Sequence, residues 1–165
     1  MMLCGLIGNR AGRFFCQAVA TALTSLILAE PVVAATFRVD DSASLPNETT
    51  TAMRWKSLSP SRTADNVVEG TTLVTIRLNV APWLNRTGKI YMALPEQPVG
   101  QVKAEWATQG RLLPGQLISG NRTLVYTGPI RSNMIEDTLA LKLQADGRRL
   151  AALQRLQFHF EIDVD

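Results

Sequence analysis

The last stretch of the chain, Leu156 to Val164, alternates between apolar and polar residues. Its apolar positions are Leu156, Phe158, Phe160, Ile162 and Val164, and its polar positions are Gln157, His159, Glu161 and Asp163. A period of two places these sets on opposite faces of a β-strand. The pattern therefore predicts a terminal strand with one buried and one solvated face. Such a strand either belongs to the sheet core or forms an edge that another segment can pair with.

Similar alternation recurs along the chain and predicts further strands. These cover residues 36–45, 52–57, 71–80, 89–94, 99–108, 122–126 and 138–145, with a return strand over 148–153. Asp146-Gly147, just before the return strand, is a strong hairpin signal. A short helix over 149–155 is the alternative interpretation of that last connection. Residues 58–70 have a linker-like composition, but no second domain follows them.

Several short strands separated by Gly, Pro and Asn turns predict an all-β protein. The spacing favours an immunoglobulin-like β-sandwich of about seven to nine strands, with at most one short helix near the C-terminus. We expect a single domain over residues 36–165, with an extended N-terminal arm at 36–46.

The first 35 residues have the pattern of a secretory signal peptide. Arg10 and Arg13 form a basic region, a mostly apolar run follows from Phe14 to Ala29, and small residues precede Thr36. The apolar run is shorter than the roughly 20 residues that span a bilayer. We therefore expect an exported protein that keeps no stable membrane anchor after removal of the leader.

Composition narrows the chemistry of residues 36–165. Cys4 and Cys16 both lie in the predicted leader, so the remaining chain has no thiol for catalysis, metal binding or a disulfide. Removing Arg10, Arg13 and Glu30 from the 17 basic and 14 acidic residues leaves a net charge of +2. Both signs are interspersed, which is typical of a solvated surface and not of a nucleic-acid partner.

The sequence contains no pattern that predicts an active site. His159 is the only histidine, and no Gly-x-Ser-x-Gly motif accompanies it, so we interpret it as a surface residue. Three acidic pairs could be proposed for acid–base chemistry, and we interpret them as turn and surface residues. These pairs are Asp40-Asp41, Glu136-Asp137 and Asp163 with Asp165. We therefore predict a non-enzyme with no cofactor, metal or catalytic residues.

The three tryptophans are candidates for a sugar-stacking platform, but a structural role is favoured. Trp106 alternates with Val102 and Ala104, which predicts a core position. Trp83 follows Pro82 in a turn and is the best candidate for an exposed ring.

An exported β-rich domain with an extended arm and an amphipathic last strand resembles the subunits of bacterial chaperone–usher fimbriae. Those subunits are incomplete immunoglobulin-like domains, and the arm of the next subunit fills the gap by β-strand addition. The resemblance implies that the donor side chains are Phe37, Val39, Ala43 and Leu45. It also implies that the acceptor edge is the terminal strand, at Leu156, Phe158, Phe160, Ile162 and Val164. The lack of cysteine fits the branch without a disulfide.

Two functional hypotheses follow. The first is a fimbrial or surface subunit that passes through the periplasm, meets a periplasmic chaperone and is assembled with neighbouring subunits at the cell surface. The second is a free-standing periplasmic or secreted β-sandwich that binds a partner or assists assembly. They differ in whether the segment 36–45 is docked within its own chain. A small hydrolase, the third option, would need a cleft with a paired carboxylate.

Overall fold

A computed structural model describes residues 35–46, 50–57, 66–98, 100–149 and 156–164. The predicted leader lies outside the described residues apart from Ala35. The alternative helix over 149–155 also lies outside them, apart from Arg149, which is in a turn.

The described residues form ten strands and one short 3₁₀ turn, Ala81–Trp83. The strands are β1 (Ala35–Arg38), β2 (Leu45–Pro46), β3 (Arg54–Trp55), β4 (Val67–Asn79), β5 (Thr87–Leu94), β6 (Val102–Thr108), β7 (Gly115–Ile118), β8 (Asn121–Pro129), β9 (Met134–Asp146) and β10 (His159–Val164).

These strands make two antiparallel sheets, which confirms the predicted all-β sandwich. Sheet A has the order β1-β10-β5-β8. Sheet B has the order β2-β4-β9-β6-β7, with β3 also paired to β4. The immunoglobulin-like assignment stays a prediction.

The centre of sheet B is the pair β4 and β9, whose ladder joins Val67–Asn79 to Met134–Asp146. On its inner face, Ile76 and Leu78 of β4 and Leu139 and Leu141 of β9 are buried. The period-two pattern predicted these positions, because successive side chains of a strand point to opposite faces.

Both sheets contribute their inner faces to one hydrophobic core. Sheet A supplies Ile90, Met92, Phe160 and Ile162, and sheet B supplies Trp106 opposite them. Close packing of this kind is the main stabilising contribution in a domain without a disulfide.

The two sides of the sandwich are closed differently. On one side, β7 runs from sheet B into β8 of sheet A, and the Leu113 N–H donates to the Val125 carbonyl at 2.7 Å. On the other side, the N-terminal residues cross from β10 of sheet A to β4 of sheet B.

Three sequence-based predictions differ from the fold. Asp146-Gly147 does not begin a hairpin with β9, because β9 already has β4 and β6 on its two sides. The predicted return strand over 148–153 lies outside the described residues apart from Arg148 and Arg149, which are in a turn. Because residues 58–70 have a linker-like composition, the start of β4 at Val67 was not predicted. The strand β7 was not predicted, because its Pro114-Gly115 entry has the composition of a turn.

One polar group is out of place in the core. Thr72 of β4 is 8% exposed, and its hydroxyl has no hydrogen-bond partner among the described residues. An unsatisfied buried hydroxyl is unfavourable. Thr72→Val should therefore raise the free energy of unfolding by about 1 kcal/mol in a denaturant titration. Thr71→Val, on the exposed face of the same strand, is the matched control, and an equal gain in both variants would contradict the account.

Candidate functional site

The N-terminal arm, residues 36–46, with Ala35 before it, is the feature on which the two functional hypotheses differ. Its first part, β1, pairs with β10 in an antiparallel ladder in which Phe37 lies opposite Ile162 and Arg38 opposite Glu161. The next residue continues the ladder, since the Val39 N–H donates to the Phe160 carbonyl at 2.9 Å.

Beyond Val39 the arm changes sheets through a turn. The Asn79 N–H donates to the Asp40 carbonyl at 2.9 Å, so the arm is joined to β4 as well as to β10. The Ser42 side chain and its N–H donate to the Asp40 carboxylate, and these hydrogen bonds hold the pKa of Asp40 below its usual value. The Ser44 N–H donates to the Asp41 carbonyl, which closes the turn before β2.

The four predicted donor residues do not share one face. Val39 is in the core at 1% exposure, and Phe37 points inward but stays 45% exposed. Ala43 is exposed in the turn and Leu45 is 60% exposed. The physical reason is the turn itself, which breaks the extended conformation that a period of two requires.

The terminal strand keeps the predicted alternation but not the implied open edge. Phe160, Ile162 and Val164 are buried, and Leu156 and Phe158 are partly buried before the strand begins. However, β10 has β1 on one side and β5 on the other. Within this chain it is an interior strand, and β1 takes the place where a partner strand would add.

A polar network covers the outer face of sheet A and reaches β1. Arg122 of β8 lies over the Tyr91 ring at 4.2 Å. Its guanidinium donates to Glu161 and to Asp163 of β10, each at 3.2 Å. Partial burial opposes charging of Arg122, but these hydrogen bonds outweigh it, so its pKa is raised. The Thr36 hydroxyl also donates to Asp163, at 2.6 Å, which ties the arm to the same carboxylate.

A shallow depression of about 390 Å³ lies beside this network, lined in part by Glu96, Asn121 and His159. The His159 Nε2 is 3.2 Å from the Glu161 carboxylate. His159 is on the outer face, as predicted, but its neighbours half-bury it. The depression is open and wide, which is poor geometry for excluding water from a reaction.

Among the acidic pairs, the structure separates Glu136 from Asp137, which lie on opposite faces of β9. Asp165 lies outside the described residues. Glu136 points outward to Arg77 at 3.4 Å, whereas Asp137 points inward and is 7% exposed. The interpretation of Asp137 as a surface residue is therefore wrong. Its period-two spacing with Leu139 placed it on the buried face, and that signal could have found it.

Asp137 has a structural role at the edge of the core. Its carboxylate accepts the Leu112 N–H at 2.8 Å and the Thr138 N–H at 2.7 Å. A Cβ atom on Gly110 would lie 2.9 Å from its carboxyl carbon, so the loop before β7 passes directly over it.

The tryptophans do not form a platform. Trp106 is buried, as predicted. Trp83 is also buried, which corrects the expectation of an exposed ring: the 3₁₀ turn directs it onto the core, where it lies 6.0 Å from the Phe37 ring. Trp55 is 48% exposed, on the opposite sheet.

In the described part of the chain, no group of three or more His, Cys, Asp or Glu side chains is arranged to hold a metal ion. Among the same residues, no helix has the length and apolar character needed to cross a membrane.

The fold and the arm together define an all-β sandwich whose two sheets are joined along one side by the chain's own N-terminal segment. No protein-family model, curated protein or solved structure matches the chain.

Proposed function

We propose that the chain is a free-standing, non-enzymatic β-sandwich module that is exported and acts through contacts with other proteins. The observation that carries the proposal is the docking of the arm within its own chain. Export is supported by the leader pattern of residues 1–35 and by the absence of cysteine after it.

The arm fills the position that an incomplete sandwich leaves open. β1 pairs with β10, Asp40 is bridged to Asn79 of β4, and the Val39 side chain is buried between the sheets. An uncovered β10 would present unpaired backbone groups and an apolar groove, which a stable monomer avoids. This favours a complete domain over a link that needs a neighbour's strand.

The second candidate is the fimbrial or surface subunit assembled by β-strand addition. It is favoured by the short length of β1, the edge strand of sheet A. This strand has four residues, and all four are exposed. The arm of a second molecule could make the same ladder with β10, and exchange of an identical element is a low-cost route to assembly. A periplasmic chaperone and neighbouring subunits would then be the partners.

Hydrogen exchange on the full chain separates the candidates. For a complete domain, the Val39 amide, bonded to Phe160, should exchange about 100-fold more slowly than the Ala43 amide in the turn. A labelled peptide of residues 36–45 should then fail to bind, because its site is occupied. The matched control is the same peptide carrying Val39→Asp.

Stable uptake of the natural peptide but not of the Val39→Asp peptide, together with fast exchange at Val39, would reverse the order of the two candidates. Uptake of neither peptide with slow exchange at Val39 would support the free-standing module.

A further inference from the structure

The depression beside the Arg122 network is formed by three segments that lie far apart in the sequence. The connection after β5 supplies Pro95 and Glu96, the turn between β7 and β8 supplies Asn121, and β10 supplies His159. Its volume of about 390 Å³ is in the range of small-ligand pockets, but its open shape leaves a bound group in contact with solvent. The depression therefore suits the end of a side chain that a larger molecule carries, rather than a free small molecule that must be enclosed.

The rim of the depression is held in place by the turn between β7 and β8. The Gly120 N–H donates to the Leu94 carbonyl at 2.8 Å, which joins this turn to the end of β5. Gly120 has a φ of 90°, and a Cβ atom there would lie 3.1 Å from the Glu96 Cγ. The stem of Glu96 thus packs on the turn, and a ligand does not have to order the rim when it binds.

Three hydrogen-bond acceptors in the depression have no donor among the described residues. The Glu96 carboxylate and the Asn121 side-chain oxygen make no hydrogen bond or ion pair within that part of the chain. The His159 Nε2 is 3.2 Å from the Glu161 carboxylate, which can only accept, so Nδ1 of the neutral ring remains as an acceptor. Glu161 itself is already engaged by Arg122, so it does not belong to this set.

We propose that this depression binds the ammonium group of a lysine side chain on a partner protein. The inference names a partner for the proposed module, so it rests on that function. An ammonium group has three donors and no acceptor, which matches three acceptors that come from three different segments. Its hydrogen bond to the Glu96 carboxylate is charge-assisted, and such bonds are about twice as strong as neutral ones. A ligand carboxylate or phosphate would instead meet Glu96 as a like charge.

The apolar part of the lining suits the stem of a lysine. Ala93 and Pro95 line the same depression as the three acceptors. The methylene groups of a lysine pack on apolar surface while the ammonium group stays beside polar atoms and water. Because the site is open and a single side chain makes few contacts, we expect a Kd of about 1 mM for an isolated lysine in a peptide.

An NMR titration of the isotope-labelled full chain with the capped peptide Ala-Ala-Lys-Ala-Ala measures this binding. The backbone amides of Glu96, Gly120 and Asn121 should shift and saturate at about millimolar peptide. The matched peptide carries norleucine in place of lysine, which keeps the stem and removes the ammonium group. It should bind about 10-fold more weakly, because it cannot donate to the three acceptors.

Glu96→Gln removes the charge and keeps the size of the side chain, so it should weaken binding of the lysine peptide about 10-fold, or about 1.4 kcal/mol. Glu96 is exposed, so the substitution leaves the core as it is. The matched control is Glu136→Gln, which removes the same charge from the exposed face of β9 in the other sheet. It should change the Kd by less than about 2-fold.

The lysine site would be overturned by an absence of shifts, by equal binding of the norleucine peptide, or by equal weakening in Glu96→Gln and Glu136→Gln. Tighter binding of the corresponding arginine peptide or of butylamine would also overturn it, since the recognised group would then be a guanidinium or a free small amine. None of these results alters the exchange of the Val39 amide, on which the proposed function depends. Failure of this site and failure of the proposed function are therefore distinguishable.

Discussion

Val39→Asp should destabilise the protein by about 4 kcal/mol, the largest effect that we expect from a single substitution in the arm. Val39 is 1% exposed, and its neighbours are the apolar side chains of both sheets. A carboxylate at this position would lose its hydration, and the buried residues that the structure describes include no cation to compensate. The measurement is the free energy of unfolding from a denaturant titration of the full chain.

Ala43→Asp is the matched control, because it introduces the same charge four residues further along, in the exposed turn of the arm. We expect it to change the free energy of unfolding by less than about 0.5 kcal/mol. Similar unfolding curves for the two variants would mean that the arm is not part of the core, and the free-standing module would lose its support. Hydrogen exchange over 36–45 would show whether Val39→Asp releases the arm or unfolds the whole domain.

The second large effect is expected at Asp137, where Asp137→Ala should lower the free energy of unfolding by about 2–3 kcal/mol. The substitution removes the acceptor of the Leu112 and Thr138 amides and leaves the Leu112 N–H without its buried partner. The substitution also removes the free-energy cost of burying a carboxylate, which partly offsets this loss of stability. However, hydrogen bonds to a charged acceptor are about twice as strong as neutral ones, and the carboxylate accepts two of them.

Two further variants test whether the lost hydrogen bonds cause the loss of stability in Asp137→Ala. Asp137→Asn keeps an oxygen that can accept one amide, so it should cost about 1 kcal/mol. Glu136→Ala removes the neighbouring acid on the exposed face, whose ion pair with Arg77 is solvated, and should change stability by less than about 0.5 kcal/mol. A gain of stability in Asp137→Ala would mean that desolvation outweighs the two hydrogen bonds.

The regular strands were predictable from the sequence because their alternation is a local property. The inward residues Ile76 and Leu78 of β4, and those of β9 from Leu139 to Leu143, are buried as the period of two predicts. The same rule, applied two residues before Leu139, would have identified Asp137 as an inward residue. Residue type alone favours the surface for an acid, because carboxylates are seldom buried unless they are paired.

The course of the arm was not predictable in the same way. The alternation of Phe37 and Val39 continues formally to Ala43 and Leu45, but the bonds between Asp40 and Ser42 turn the chain before that point. Such side-chain hydrogen bonds compete locally with the extended conformation. Which strand the arm then joins depends on contacts with β4 and β10, which lie far away in the sequence.

The pairing of Ala35 with Val164 joins two segments from opposite ends of the described chain. Contacts of this kind raise the contact order of a protein, because a long loop must close before they can form. β10 also needs β5 on its other side, so sheet A cannot be completed until the last strand is present. The arm is therefore expected to dock late in folding. Until it does, β10 and the core beneath it remain open to other chains.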